Sequence, residues 1–119
     1  IYRYPINGAI AEPESSAVVP AGILELSGYV LPTGRPNTQA QRIEISTDNG
    51  NTWKAAKMIG KQSEYCWQLW KARVKVSKRT SNLTLRAFDT SGGFMPRRVP
   101  WNAKGYLQNS WYQLPIDVN

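Results

Sequence analysis

The chain has 119 residues, 41% of them hydrophobic, and 15 Lys and Arg against 8 Asp and Glu give a formal net charge of +7. That length suits one domain with a single core and is too short for two. With no His and one Cys, Cys66, the chain lacks the commonest general base near neutral pH and cannot close an internal disulfide or build a thiolate metal cluster.

Residues 1–13 read as an extended lead-in segment, with Pro5 and Pro13 bracketing Ile6-Asn7-Gly8-Ala9-Ile10. Residues 14–16 are polar and turn-like. Val18-Val19-Pro20-Ala21-Gly22 suits a short edge strand, because Pro restricts ladder pairing. Residues 23–30 alternate, with Leu24, Leu26 and Val30 inward, and residues 31–39 (LPTGRPNTQ) are a loop by composition. Residues 42–58 (RIEISTDNGNTWKAAKM) carry the clearest pattern in the chain. Ile43 and Ile45 alternate with Arg42, Glu44 and Ser46. Asp48-Asn49-Gly50-Asn51 then supplies the chemistry of a tight hairpin turn, and Thr52-Trp53 restarts the apolar pattern in a return strand.

Residues 66–76 (CWQLWKARVKV) form a long strand with Trp70, Ala72, Val74 and Val76 on one face and Lys71, Arg73 and Lys75 on the other. Trp67 and Leu69 fall on the second parity. Either a bulge shifts the phase before Trp70 or both faces are covered there. After a basic turn at 77–82, Leu83, Leu85 and Ala87 point inward from the next strand, and residues 89–93 (DTSGG) turn the chain. Residues 94–98 are irregular. Tyr112, Leu114 and Ile116 mark a final alternating strand. About seven short antiparallel strands at ~8–12-residue spacing predict an all-β, immunoglobulin-like β-sandwich. The Cys–Cys bridge of antibody domains has no counterpart.

Catalytic constellations are scarce. There is no Gly-rich phosphate loop, no metal-ligand spacing and no nucleophile–His pair. Asp48 and Asp89 suit turn duty, and Cys66 beside Trp67 suits an inert strand thiol. Asn82-Leu83-Thr84 matches a glycosylation sequon, which matters only in a secreted chain. Lys71, Arg73, Lys75, Lys78 and Arg79 invite a phosphate-binding reading, but the aromatics fall mostly at core parity, so a solvated strand edge is preferred and no nucleic-acid partner is expected. No apolar run approaches the ~20 residues of a membrane span, so no membrane partner is expected either. The first residue is Ile1, with no initiator Met and no secretory signal pattern; a piece of a longer polypeptide is expected.

Residues 96–111 (PRRVPWNAKGYLQNSW) set Arg97, Arg98 and Lys104 around Trp101-Asn102, with Gly105 free to bend and Asn102 and Asn109 able to lock a loop. The residues leave two readings open, a structured loop before the last strand or a cationic finger aimed at an anion or another domain.

Five pieces in order resemble one family. Arg42-Ile43-Glu44-Ile45-Ser46 with Asp48, Gly50 and Thr52-Trp53 is similar to the RVEVS-x-DGG-x-TW hairpin in the C-terminal domain of sulfite oxidases and assimilatory nitrate reductases. Trp67-Gln68-Leu69-Trp70 resembles its W-x-x-W strand, and Arg86-Ala87-Phe88-Asp89 its RA-x-D turn. Trp101-Asn102, Gly105, Asn109 and Trp111 match its WN-x-x-G-x-x-x-N-x-W ending, and residues 5–10 its P-x-N-x-x-I segment. The resemblance covers nearly the whole chain.

It implies an immunoglobulin-like (E-set) dimerisation domain over residues 14–119, entered through residues 1–13 from an upstream catalytic domain that holds molybdenum–molybdopterin. The molybdenum-ligating Cys of that family is not in this chain, and Cys66 does not match it. The domain itself is implied to be non-catalytic and to bind no cofactor. In sulfite oxidases an Arg in the WN-x-R-G position helps bind the anionic substrate; nitrate reductases tend to be apolar there. Lys104 stands at that place, keeping the charge without the bidentate fork. Tyr112-Gln113 replaces the His-Arg common in sulfite oxidases. Homodimer assembly then needs a self-complementary patch, for which Tyr65, Trp67 and Trp111 are the candidates. The parent reaction is expected to be sulfite oxidation, with nitrate reduction and a free-standing immunoglobulin-like binding module as competing readings.

Overall fold

The computed structural model describes residues 6–32, 38–60, 67–95 and 111–119. Two sheets face each other. The first contains β1 (Asn7–Glu12), β3 (Gly22–Leu31), β6 (Lys57–Ile59) and β7 (Gln68–Val76), in the order β1-β3-β7-β6. The second contains β2 (Ala17–Val19), β4 (Ala40–Ser46), β5 (Lys54–Ala55), β8 (Asn82–Asp89) and β9 (Tyr112–Val118), in the order β2-β9-β8-β4-β5. All pairings are antiparallel except β2 with β9.

Alternation decides which side chains fill the space between the sheets. Ile6, Ile10, Leu26, Val30, Trp70, Val74 and Val76 enter from the first sheet; Ile43, Ile45, Leu83, Leu85, Ala87, Leu114 and Ile116 enter from the second. Trp70 is wholly buried, and it fits because its partner in the ladder is Gly28. A Cβ on Gly28 would sit 2.6 Å from the indole and closer still to the carbonyl oxygen of Ala9. The indole N–H of Trp70 has no hydrogen-bond partner among the described residues.

Several expectations need correction. Nine strands stand among the described residues where about seven were expected. From Asn7 the lead-in segment is strand β1, paired with β3 through a bulge between Ile10 and Glu12. The hairpin at 42–58 forms, but its return strand pairs with β4 only at Lys54 and Ala55; after Ala56 the chain crosses and pairs with β7 as β6. The backbone N–H of Ala56 still donates to the Ile43 carbonyl at 2.8 Å. A similar crossing at Pro13–Ser16 joins β1, on the other edge of the first sheet, to β2, on the edge of the second. No bulge precedes Trp70: β3 and β7 stay in register from Gly22–Val76 to Val30–Gln68.

Candidate functional site

The unbroken register of β7 has a direct consequence. Trp67 and Leu69 point away from the core and remain 50% and 55% exposed. The ladder aligns Ala9, Tyr29, Leu69 and Ile59 across four strands on this outer face. Trp67 packs edge-on against Tyr29 with ring centroids 4.6 Å apart. One end of the first sheet therefore shows water an aromatic and aliphatic patch. The rest of that face is mostly charged, with Ser27 among the charges and Ile23, 69% exposed, at the far end. Glu25 and Arg73 pair at 3.1 Å, both largely exposed. Glu12, Glu25, Ser27, Lys57, Lys71 and Arg73 help line an open trough of about 610 Å³.

The outer face of the second sheet is built differently. Arg86 on β8 lies 3.9 Å above the Trp53 ring and donates from Nε to Glu44 Oε1 at 2.7 Å. Glu44 also receives Arg42 at 3.2 Å, and Arg42 covers Phe88 at 4.4 Å. Trp111 meets Trp53 edge-on at 4.8 Å. These cations and rings satisfy one another, which makes this face a closed cluster. Gly50 belongs to it: its φ of +92° forms the hairpin turn, and a Cβ there would meet the Trp111 ring at 2.6 Å.

Of the three interface candidates, Trp67 and Trp111 lie on opposite outer faces of the sandwich, Trp67 against Tyr29 and Trp111 against Trp53. Tyr65, Cys66 and the loop residues Trp101, Asn102, Lys104, Gly105 and Asn109 lie outside the described residues. Tyr29, Leu69 and Ile59, which complete the patch around Trp67, escaped sequence reasoning. The parity of Leu69 was a signal; its alignment with Ile59 was not, because the sheet crossing at Ala56 leaves no mark in the pattern.

The turns hold the acids as their chemistry predicts. Asp48 receives the hydroxyls of Ser46 and Thr52 at 2.7 and 2.6 Å and the Thr52 amide at 2.9 Å. Those donors, the Thr52 side chain foremost, hold the pKa of its carboxyl well below the ordinary carboxylate range, at about 2. Asp89 is buried and accepts from the amides of Ser91 and Gly93 at 3.0 and 2.7 Å. The Asn82 side-chain amide donates to Gln113 Oε1 at 3.2 Å, and Thr84, the third sequon residue, is fully buried. A second open cleft, of about 480 Å³, is lined by Asp48, Lys75, Arg79 and Asn82 among others. Among the described residues no three His, Cys, Asp or Glu side chains gather as a metal site requires, and no helix is long and apolar enough to cross a membrane.

Several known proteins resemble this chain in sequence, and one solved structure resembles it in fold. The mitochondrial sulfite oxidase of Mus musculus is 30% identical over 126 residues, covering 99% of this chain and 23% of that protein. Gallus gallus sulfite oxidase is 31% identical, covering 95% of this chain and 26% of its own length. A nitrate reductase [NAD(P)H] of Hordeum vulgare is 28% identical over 95% of this chain and 14% of that enzyme. The chain thus spans about a quarter or less of these relatives. The crystal structure of the sulfane dehydrogenase SoxCD from Paracoccus pantotrophus has the same fold over 97% of this chain and 33% of its own, with a TM-score of 0.72 at 20% identity. The family model described as "Mo-co oxidoreductase dimerisation domain" matches residues 1–119, the whole chain, and the chain belongs to that family.

Proposed function

We propose that this domain holds two subunits of a molybdenum-cofactor oxidoreductase together and that its parent oxidises sulfite. The observation that carries the assembly role is the apolar patch of Tyr29, Leu69, Ile59 and Trp67 left open on a sheet of a dimerisation-family domain. Exposed apolar area of this kind is stabilised by a partner surface. The molybdenum and its pterin belong to an upstream domain, entered through residues 1–13. The cofactor supplies the redox chemistry there, and this chain contributes assembly and one cation. Nitrate reduction is the competing activity, since nitrate reductases are also relatives.

Lys104 favours the sulfite side. A Lys ammonium attracts an oxyanion as a point charge, whereas an apolar residue at that position offers the anion nothing. Trp101, Asn102, Gly105 and Asn109 give the loop its fixed shape in this reading.

Two measurements test the proposal on the intact protein. Sedimentation equilibrium at about 10 µM should give the mass of a dimer; a strict monomer overturns the assembly role. Lys104→Met should raise the KM for sulfite about tenfold, the order expected for losing one charge-assisted contact of roughly 1.5 kcal/mol. A KM that stays put removes Lys104 from the anion pocket.

A further inference from the structure

The outer face of the first sheet is divided lengthwise by charge. Its β1–β3 half carries the acids Glu12 and Glu25, and its β7–β6 half carries the bases Lys57, Lys71, Arg73 and Lys75. Lys57 and Lys71 are direct partners in the ladder, a like-charge pairing that disfavours the isolated sheet. Among the described residues the face holds a single ion pair, Glu25 with Arg73, each 73% exposed. Such a pair contributes little to the fold by itself. A partner laid on the face would put the division to use.

The geometry points to a second copy of this chain, related by a two-fold axis that lies in the contact plane, parallel to the strands, between β3 and β7. This assignment rests on the assembly role proposed above and names its surface and symmetry. Rotation about that axis lays β3 over the partner's β7 and β1 over the partner's β6. Glu25 then faces the partner's Arg73, and Glu12 faces the partner's Lys57. At the apolar end, Tyr29 covers the partner's Leu69 and Leu31 covers the partner's Trp67. Each contact occurs twice, as an isologous interface demands.

The other in-plane arrangement, with the axis perpendicular to the strands, places β7 on β7 and β6 on β6. Bases would then meet bases and acids meet acids, which costs association free energy. The face is of modest extent. From the Ile23–Lys75 pair to the end at Leu31 the two central strands run eight residues, about 27 Å; β1 flanks them only from Ser27 to Leu31 and β6 only from Leu69 to Lys71, with strands spaced about 4.8 Å. That is on the order of 400 Å² per copy, or about 800 Å² in total, at the small end of protein–protein contacts. An interface this small has no surplus, so each charged pair carries a measurable share of the affinity.

The test uses two single variants of the intact protein, Glu25→Arg and Arg73→Glu, compared by sedimentation equilibrium alone and mixed in equal amounts. Alone, each places like charges opposite one another twice, and self-association should weaken at least tenfold. Mixed, the Glu25→Arg chain offers two Arg to the two Glu of the Arg73→Glu chain, and a heterodimer should form within about threefold of the wild-type affinity. Mixing cannot mend the pair inside either chain, so recovery reports contact between chains. Unchanged melting temperatures confirm that both variants fold, as such exposed sites allow; if either does not, Glu12→Lys and Lys57→Glu repeat the same cross. Wild-type-like dimers from the single variants overturn this face and axis while leaving the assembly role standing. Weakened single variants whose mixture fails to recover overturn the cross-pairing. A wild-type protein that is itself monomeric overturns the assembly role, and this interface with it.

Discussion

Asp48 organises the hairpin turn from a fully hydrogen-bonded carboxylate, and its titration gives that role a signature. The donors around it favour the charged form, so its pKa in the fold is about 2, below the ordinary carboxylate range. A group depressed in this way stabilises the fold fully above about pH 4 and loses that contribution as pH falls through about 2. Asp48→Asn should therefore lower the melting temperature by a constant amount between pH 5 and 7. The gap between variant and wild type should close between pH 4 and 2. A gap undiminished at pH 2 would sink this account. The turn role of Asp48 and Asp89 was legible in the sequence, because short acids beside Gly, Ser and Thr have few other uses. The seat of Gly50 under Trp111 was not. Sixty-one positions separate them, and nothing in either residue's neighbourhood names the other.

At the scale of elements, alternation was the informative signal. It placed Ile43, Ile45, Leu83, Leu85 and Leu114 in the core, where the structure finds them. It left the phase of residues 67–70 ambiguous, because Trp67, Leu69 and Trp70 are all apolar and parity alone cannot say which of them water touches. The structure settles this through Gly28. With no side chain opposite, β3 leaves a socket deep enough for one indole, and Trp70 takes it while Leu69 faces outward. Gly28→Ala should destabilise the domain by at least about 1–3 kcal/mol, the range for overpacking a filled core. Urea unfolding would read this as a lower midpoint at unchanged slope. A stability within 0.5 kcal/mol of wild type, on the scale of ordinary surface substitutions, would show that the socket can relax. The return strand of the hairpin was misjudged for a different reason. Residues 52–58 keep a strand-like composition straight through the crossing, since both sheets accept the same side chains.

On the scale of the whole molecule, the sandwich and its family membership could be read from the sequence, and the make-up of the first sheet's outer face could not. Its two halves come from strands far apart in the chain, and only the ladder brings acids to one side and bases to the other. Trp67, whose exposure parity left open, stands half exposed at one corner of it. One feature of the chain path bears on how such a surface survives. The backbone passes between the sheets at Pro13–Ser16 along one open side and at Ala56 along the other. The two layers are thus laced together at both margins, like a garment fastened down each seam. Tension on one layer is shared at once with the other. The layers cannot gape or slide past one another without tearing a strand from its ladder, so a contact made by only one of them is anchored by both.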